Sequence, residues 1–170
     1  MSTPISSQPA NQNRFQRYTN LINTEQIIDF LYLQGTETRK LLLSLENKGD
    51  YAYAPGKWTL KQLTGHLNDS ERIFAYRALR FSRNDKTTLA SFEEDDYVNN
   101  ASFNLQSMKD LVEEHYLIRQ CNLMLFKGFN IEELERNGVS GETQLTVKEL
   151  LYIIAGHEQH HINIINERYI

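Results

Sequence analysis

Three of the chain's five histidines fall within one short run, Gly156-His157-Glu158-Gln159-His160-His161. His157 and His161 are four residues apart, so on a helix they share a face, one turn above the other. Read as letters the run is H-E-x-x-H. At this spacing two imidazoles can grip one metal ion while a glutamate stands beside it.

Two literal readings follow from the letters. A zinc protease would use Glu158 as general base, but it needs a third ligand downstream and a strand-rich edge for substrate, and neither is apparent. A di-iron bundle would read Glu158-Gln159-His160-His161 as Glu-x-x-His. It needs a second such motif, which the sequence lacks. A third ligand must therefore come from elsewhere in the chain.

Four helical segments can position these residues. The first spans about 24–46, with Ile27, Ile28, Leu31, Thr38, Leu41, Leu42 and Leu45 at helical spacing and Gly49-Asp50 as its stop. The second spans about 59–82. Thr59 and Gln62 form a capping box, and Trp58 and Leu63 stand in staple positions. It is expected to bury Leu60, Leu63, Leu67, Phe74, Ala78 and Phe81. Residues 84 to about 104 form a long polar connection with the acidic run Glu93-Glu94-Asp95-Asp96. A connection of that length can carry the chain along a bundle, so that the second and third helices run parallel. The third helix spans about 107–127, with Met108, Leu111, Val112, Ile118 and Phe126 inward and Gly128 at its end. The fourth opens on the box Thr146 to Glu149, with Leu145 and Leu150 as staple, and runs nearly to residue 170. With no convincing strand alternation, the expected fold is an all-α four-helix bundle, up-down-down-up, with the crossover between helices two and three.

On the fourth helix, Leu150, Ile154, His157, His161 and Ile165 follow steps of four, three, four and four, which is the core-facing stripe. On the second, Leu63, His66, Ser70 and Phe74 follow steps of three, four and four. If these helices are antiparallel, His66, His157 and His161 meet inside the bundle as metal ligands. Three neutral imidazoles leave a coordination position open, as catalytic sites do. Zinc or nickel suits three nitrogens. His160 points about a hundred degrees away and is expected beside the ligands or partly exposed. Glu158 likewise faces away from its flanking histidines. Glu158, His115 and Arg119 are the candidate catalytic residues, the last two as cavity-lining groups that orient an anion or as a simple polar pair on a helix flank.

Composition bounds the rest. At 170 residues, 40% apolar and 24% charged, the chain suits one globular domain over residues 21–170. Residues 1–20 are rich in Ser, Thr, Asn, Gln and Pro and are expected to be a flexible arm. A net charge of −4 with scattered Lys and Arg gives no footprint for nucleic acid. No apolar run can span a bilayer, and the N-terminus has no signal-peptide pattern. One cysteine, Cys121, fits a reducing cytoplasm and is expected to be a small buried hydrophobe. Trp58 is expected to anchor the core rather than to bind substrate. The Glu93 to Asp96 run reads as solvated loop or as the entrance for a cationic substrate.

The segments Tyr53-Ala54-Pro55-Gly56-Lys57-Trp58-Thr59, Gly65-His66-Leu67, Tyr76-Arg77-Ala78, Asp95-Asp96-Tyr97-Val98 and Ala155-Gly156-His157-Glu158-Gln159-His160-His161, in this order, resemble the DinB/YfiT-like superfamily from about residue 25 onward. The resemblance implies a four-helix bundle, often a homodimer, with a divalent metal on one histidine of the second helix and two of the fourth. Those positions are His66, His157 and His161. It also implies a metal-dependent hydrolase, or an S-transferase using a small thiol such as bacillithiol, mycothiol or glutathione. The alternative is a non-catalytic bundle with a structural metal or a small-ligand cavity.

Overall fold

The side chain of Thr59 accepts the backbone N–H of Gln62, and Gln62 reaches back to the N–H of Thr59. Thr146 and Glu149 close the same reciprocal box. The long helices that carry His66, His157 and His161 thus begin where their sequence places them, with orphan amides satisfied. The structure, a computed structural model, describes residues 13–170, with side chains from Phe15 onward. Its elements are α1 (Asn13–Thr19), α2 (Ile27–Ser44), α3 (Leu60–Ser82), α4 (Glu94–Asn100), α5 (Met108–Phe126), α6 (Ile131–Glu135), β1 (Asn137–Ser140), β2 (Thr143–Thr146) and α7 (Val147–Arg168).

The long helices α2, α3, α5 and α7 form the bundle, and each reads apolar, polar, apolar along its inner face. One apolar cluster takes Leu31 of α2, Phe74, Ala78 and Phe81 of α3, Leu123 and Phe126 of α5, and Leu150 and Ile154 of α7. A second takes Leu42, then Leu60, Leu63 and Leu67, then Met108 and Val112, then Ile165 and Tyr169. Each fully buried Leu or Phe contributes about 1.5–3 kcal/mol. Between the clusters lies a buried polar waist: Gln34, Thr38, His66, Ser70, Glu71, His115, Arg119, His157, Glu158 and His161. Helices α2 and α7 run from the first cluster to the second, whereas α3 and α5 run from the second to the first. Their directions are therefore up, down, down, up.

Four features differ from the sequence reading. The arm expected over residues 1–20 is helical from Asn13 to Thr19: Phe15 and Tyr18 stand three residues apart on one face, and α1 packs on α7 with Tyr18 buried. The earlier residues of that arm lie outside the described ones. The long connection folds locally into α4. Its acidic residues Glu94, Asp95 and Asp96 stand in the first helical turn, where they oppose the positive end of the helix dipole, and Val98 is buried. A β-hairpin joins α6 to α7, pairing Val139 with Gln144 across a two-residue loop in which Gly141 has φ +60°. Its strands have four residues each, too short to show alternation against the helical background. Cys121 is exposed, not buried. It falls between the inward Arg119 and Leu123, two positions from each, which turns it to the opposite face of α5.

Candidate metal centre

His66 is held by the α3 stripe that also buries Leu63, Ser70 and Phe74. His157 and His161 come from the α7 stripe of Leu150, Ile154 and Ile165. The antiparallel run of α3 against α7 brings the three rings together. A nitrogen from each lies within 4.8 Å of the others, and all three residues are buried. His66 Nε2 and His157 Nε2 are 3.0 Å apart. The ring centroids of His66 and His161 are 4.9 Å apart, and those of His157 and His161 are 4.7 Å apart.

Burial holds these imidazoles neutral. It is the largest influence on His66, helped by nearby His160, and takes its pKa from 6.5 down to about 4. Burial, then the mutual proximity of the rings, pushes His157 and His161 well below the usual histidine value. Neutral imidazole is the form that binds metal. His161 Nδ1 is buried without a hydrogen-bond partner among the described residues. A desolvated donor set whose lone pairs converge fits a divalent cation and is poorly satisfied without one. The Ser70 hydroxyl lies 3.5 Å from His66 Nδ1, on the side of the ring away from His157. Partners at the second ring nitrogen fix the orientation of metal-binding histidines.

A cleft of about 270 Å³ opens beside His66 and His157. Phe15, Tyr18, Phe74 and Phe92 supply apolar walls, Arg77 and Ser70 the α3 side, and the hairpin residues Ser140 to Thr143 another wall. Tyr18 meets the His157 ring edge-on at 5.2 Å. It can do so because Gly156 has no side chain: a Cβ there would sit 2.1 Å from the Tyr18 carbonyl oxygen. His160 is half-buried, with its ring 5.1 Å from that of His161 and 5.6 Å from that of Tyr18.

The remaining candidates sit behind the histidines rather than in this cleft. The Arg119 side chain is fully buried and grips Glu71 bidentately at 2.7 and 2.9 Å. It donates further to the Leu31 carbonyl at 2.9 Å and to Glu158. Glu158 also accepts from the Thr38 hydroxyl. Burial alone would raise the Glu158 pKa. The Arg119 charge, with His115 and Thr38 beside it, outweighs that and holds it down to about 2. His115 Nε2 lies 3.5 Å from Glu158. Glu71, His115 and Glu158 have the makings of a second ligand cluster, but the guanidinium already supplies its cation. Arg119 therefore binds the protein's own carboxylates. In the acidic run, Glu94 lines the cleft beside His157, whereas Asp95 lines another beside His161.

The sequence reading assigns no role to Glu71, Gln34 or Tyr18, and Arg77 enters it only within the Tyr76-Arg77-Ala78 segment of the family resemblance. Glu71 carried a usable signal, a charge one turn after Leu67 on the inward stripe of α3. Tyr18 carried little, because seven helical residues in a polar stretch are too few to show periodicity.

No curated protein matches the chain at a significant level. The fold is similar to that of YfiT from Bacillus subtilis, described as a probable metal-dependent hydrolase with an unusual four-helix bundle topology. The TM-score is 0.75 at 16% identity, over 98% of this chain and 90% of that one. At that identity the likeness carries the fold and not the chemistry. A family profile described as the DinB superfamily matches residues 31–165. That span reaches into all four long helices and includes His66, His157 and His161, and on this match the chain belongs to the DinB superfamily.

Proposed function

We propose that the protein is a metal-dependent enzyme acting on a small molecule, either as a hydrolase using water or as an S-transferase using a small thiol. The observation that supports this most is the convergence of His66, His157 and His161, buried and neutral, at the edge of a cleft of about 270 Å³. That volume suits a small substrate better than a polymer. His66, His157 and His161 would hold the ion, with zinc or nickel as the metals that suit three nitrogens. Such an ion would supply Lewis acidity and a nucleophile at neutral pH.

The chain's own residues supply the rest. Ser70 steadies the His66 ring. Tyr18 and Phe74 pack edge-on against His157 and keep water from that side of the ring. Phe15 and Phe92 give the substrate an apolar wall. No helix among the described residues is long and apolar enough to cross a membrane. The homodimer expected from the resemblance is tested by light scattering on the purified chain.

Metal content decides the reading. Protein purified without a nickel column is expected to carry a divalent metal near one per chain, lost in His161→Ala. Equal content in wild type and variant would sink the proposal. With the metal in place, ester and amide hydrolysis and the consumption of a small thiol by an electrophile separate the two chemistries. No turnover in either assay, with a large drop in melting temperature on chelation, points to the non-catalytic alternative.

A further inference from the structure

The histidine cluster is reached from a second side. His161, one turn beyond His157 on α7, lines a separate cleft of about 300 Å³. The first cleft touches His66 and His157 but not His161; the second touches His161 alone of the three. Its walls are aromatic and held in place. The Tyr169 hydroxyl donates to the Trp58 carbonyl at 2.7 Å, and the Tyr53 ring meets the Tyr169 ring edge-on at 5.4 Å. The Trp58 ring lies 4.8 Å from that of His66, so this wall abuts the cluster itself.

The rim carries charge of both signs. Lys57 stands on a turn closed by its N–H to the Ala54 carbonyl, after Gly56 with φ +73°. Asp95 stands in the first turn of α4. Both are exposed, both line the cleft, and neither makes an ion pair among the described residues. An aromatic-walled cleft with an ammonium and a carboxylate at its mouth is complementary to a small zwitterion. We propose that this second cleft binds a zwitterionic small molecule of the amino-acid or short-peptide class. Its carboxylate meets Lys57, its ammonium meets Asp95, and its side chain lies between the aromatic walls and points toward His161. The metal centre would then receive two molecules from two directions. The cleft adjoins the centre proposed above, but its recognition groups do not include the metal.

Trp58 is the chain's only tryptophan, so its fluorescence reports on this cleft. The full chain is titrated with phenylalanine, phenylacetate and phenethylamine. Phenylalanine is expected to give a saturable change, and each singly charged analogue to bind about tenfold more weakly. Lys57→Met is expected to erase the advantage of phenylalanine over phenethylamine, and Asp95→Asn its advantage over phenylacetate. Both positions are exposed, so both variants keep the fold. Thr143→Ala, on the hairpin wall of the other cleft, is expected to leave the titration unchanged. Absence of a saturable change, or affinities indifferent to both rim variants, overturns the assignment. The titration is repeated on chelated protein. Unchanged affinity there supports the cleft even if metal analysis defeats the metalloenzyme reading, whereas loss of binding assigns recognition to the metal and overturns it.

Discussion

Glu158 follows His157 directly in the chain, yet its carboxylate turns away from the histidine cluster and pairs with the guanidinium of Arg119 on α5. Arg119 holds Glu71 of α3 in the same grip, so one side chain of α5 joins the two helices that supply the histidine cluster. Removing it leaves two buried carboxylates without a counter-charge. Arg119→Met is therefore expected to cost about 3–5 kcal/mol in chemical denaturation. The double variant Arg119→Met with Glu158→Gln is expected to recover part of that loss. A cost under about 1 kcal/mol for the single variant would show that the pair is not what the geometry makes it.

The three histidines set a pH dependence for the metal-free protein. His66 titrates near 4 in the folded chain against an ordinary 6.5, and His157 and His161 are also lowered. Between those values the unfolded chain binds more protons, so acid favours unfolding. Stability is expected to be full above about pH 6.5 and to fall toward pH 4. Glu158, held near 2 against 4.5, adds a second loss between those values. Melting temperatures with chelator present, taken across this range, check it. A flat profile in wild type, or the same slope in a His66→Ala, His157→Ala double variant, contradicts the assignment.

Metal binding to the folded state alone stabilises by mass action. At a metal concentration a hundredfold above Kd the gain is about 2.7 kcal/mol. Chelation is expected to lower the melting temperature, and zinc or nickel to restore it. His157→Ala is expected to respond to neither, because α3 then contributes His66 and α7 only His161. Calorimetric melting of the two proteins side by side measures this.

Gly156 is the point where α1 lies against α7. A methyl group there would meet the Tyr18 backbone, which cannot move aside as a flexible side chain can. Gly156→Ala is expected to lift α1 and destabilise the fold by roughly 1–3 kcal/mol. Trypsin cleavage after Arg17 is the direct readout, faster in the variant. Tyr18→Ala should open the first cleft without the backbone clash, and so cost less stability while exposing the same face of His157.

Much of the bundle was legible in the amino-acid order. The caps at Thr59 and Thr146, the inward stripes of α3 and α7, and the polar positions interrupting them are local patterns, and local patterns follow from helical geometry and hydrogen-bond bookkeeping. They placed His66, His157 and His161 on inner faces, ninety-one positions separating the first pair. Cys121 shows the limit: its apolar neighbours in sequence imply burial, although its angular position on α5 turns it outward.

What sequence order could not decide was the company each inward polar residue keeps. His115, Arg119 and Glu158 were legible as inward or flanking groups, but whether they faced a ligand or one another depended on which helices abut at that height. The same holds for the α1 cap over His157 and for the two clefts, each assembled from segments far apart in the chain. Periodicity reports the direction of a side chain about its own helix axis. Contact distances depend on the register and rotation of one helix against another, which packing sets across the whole core.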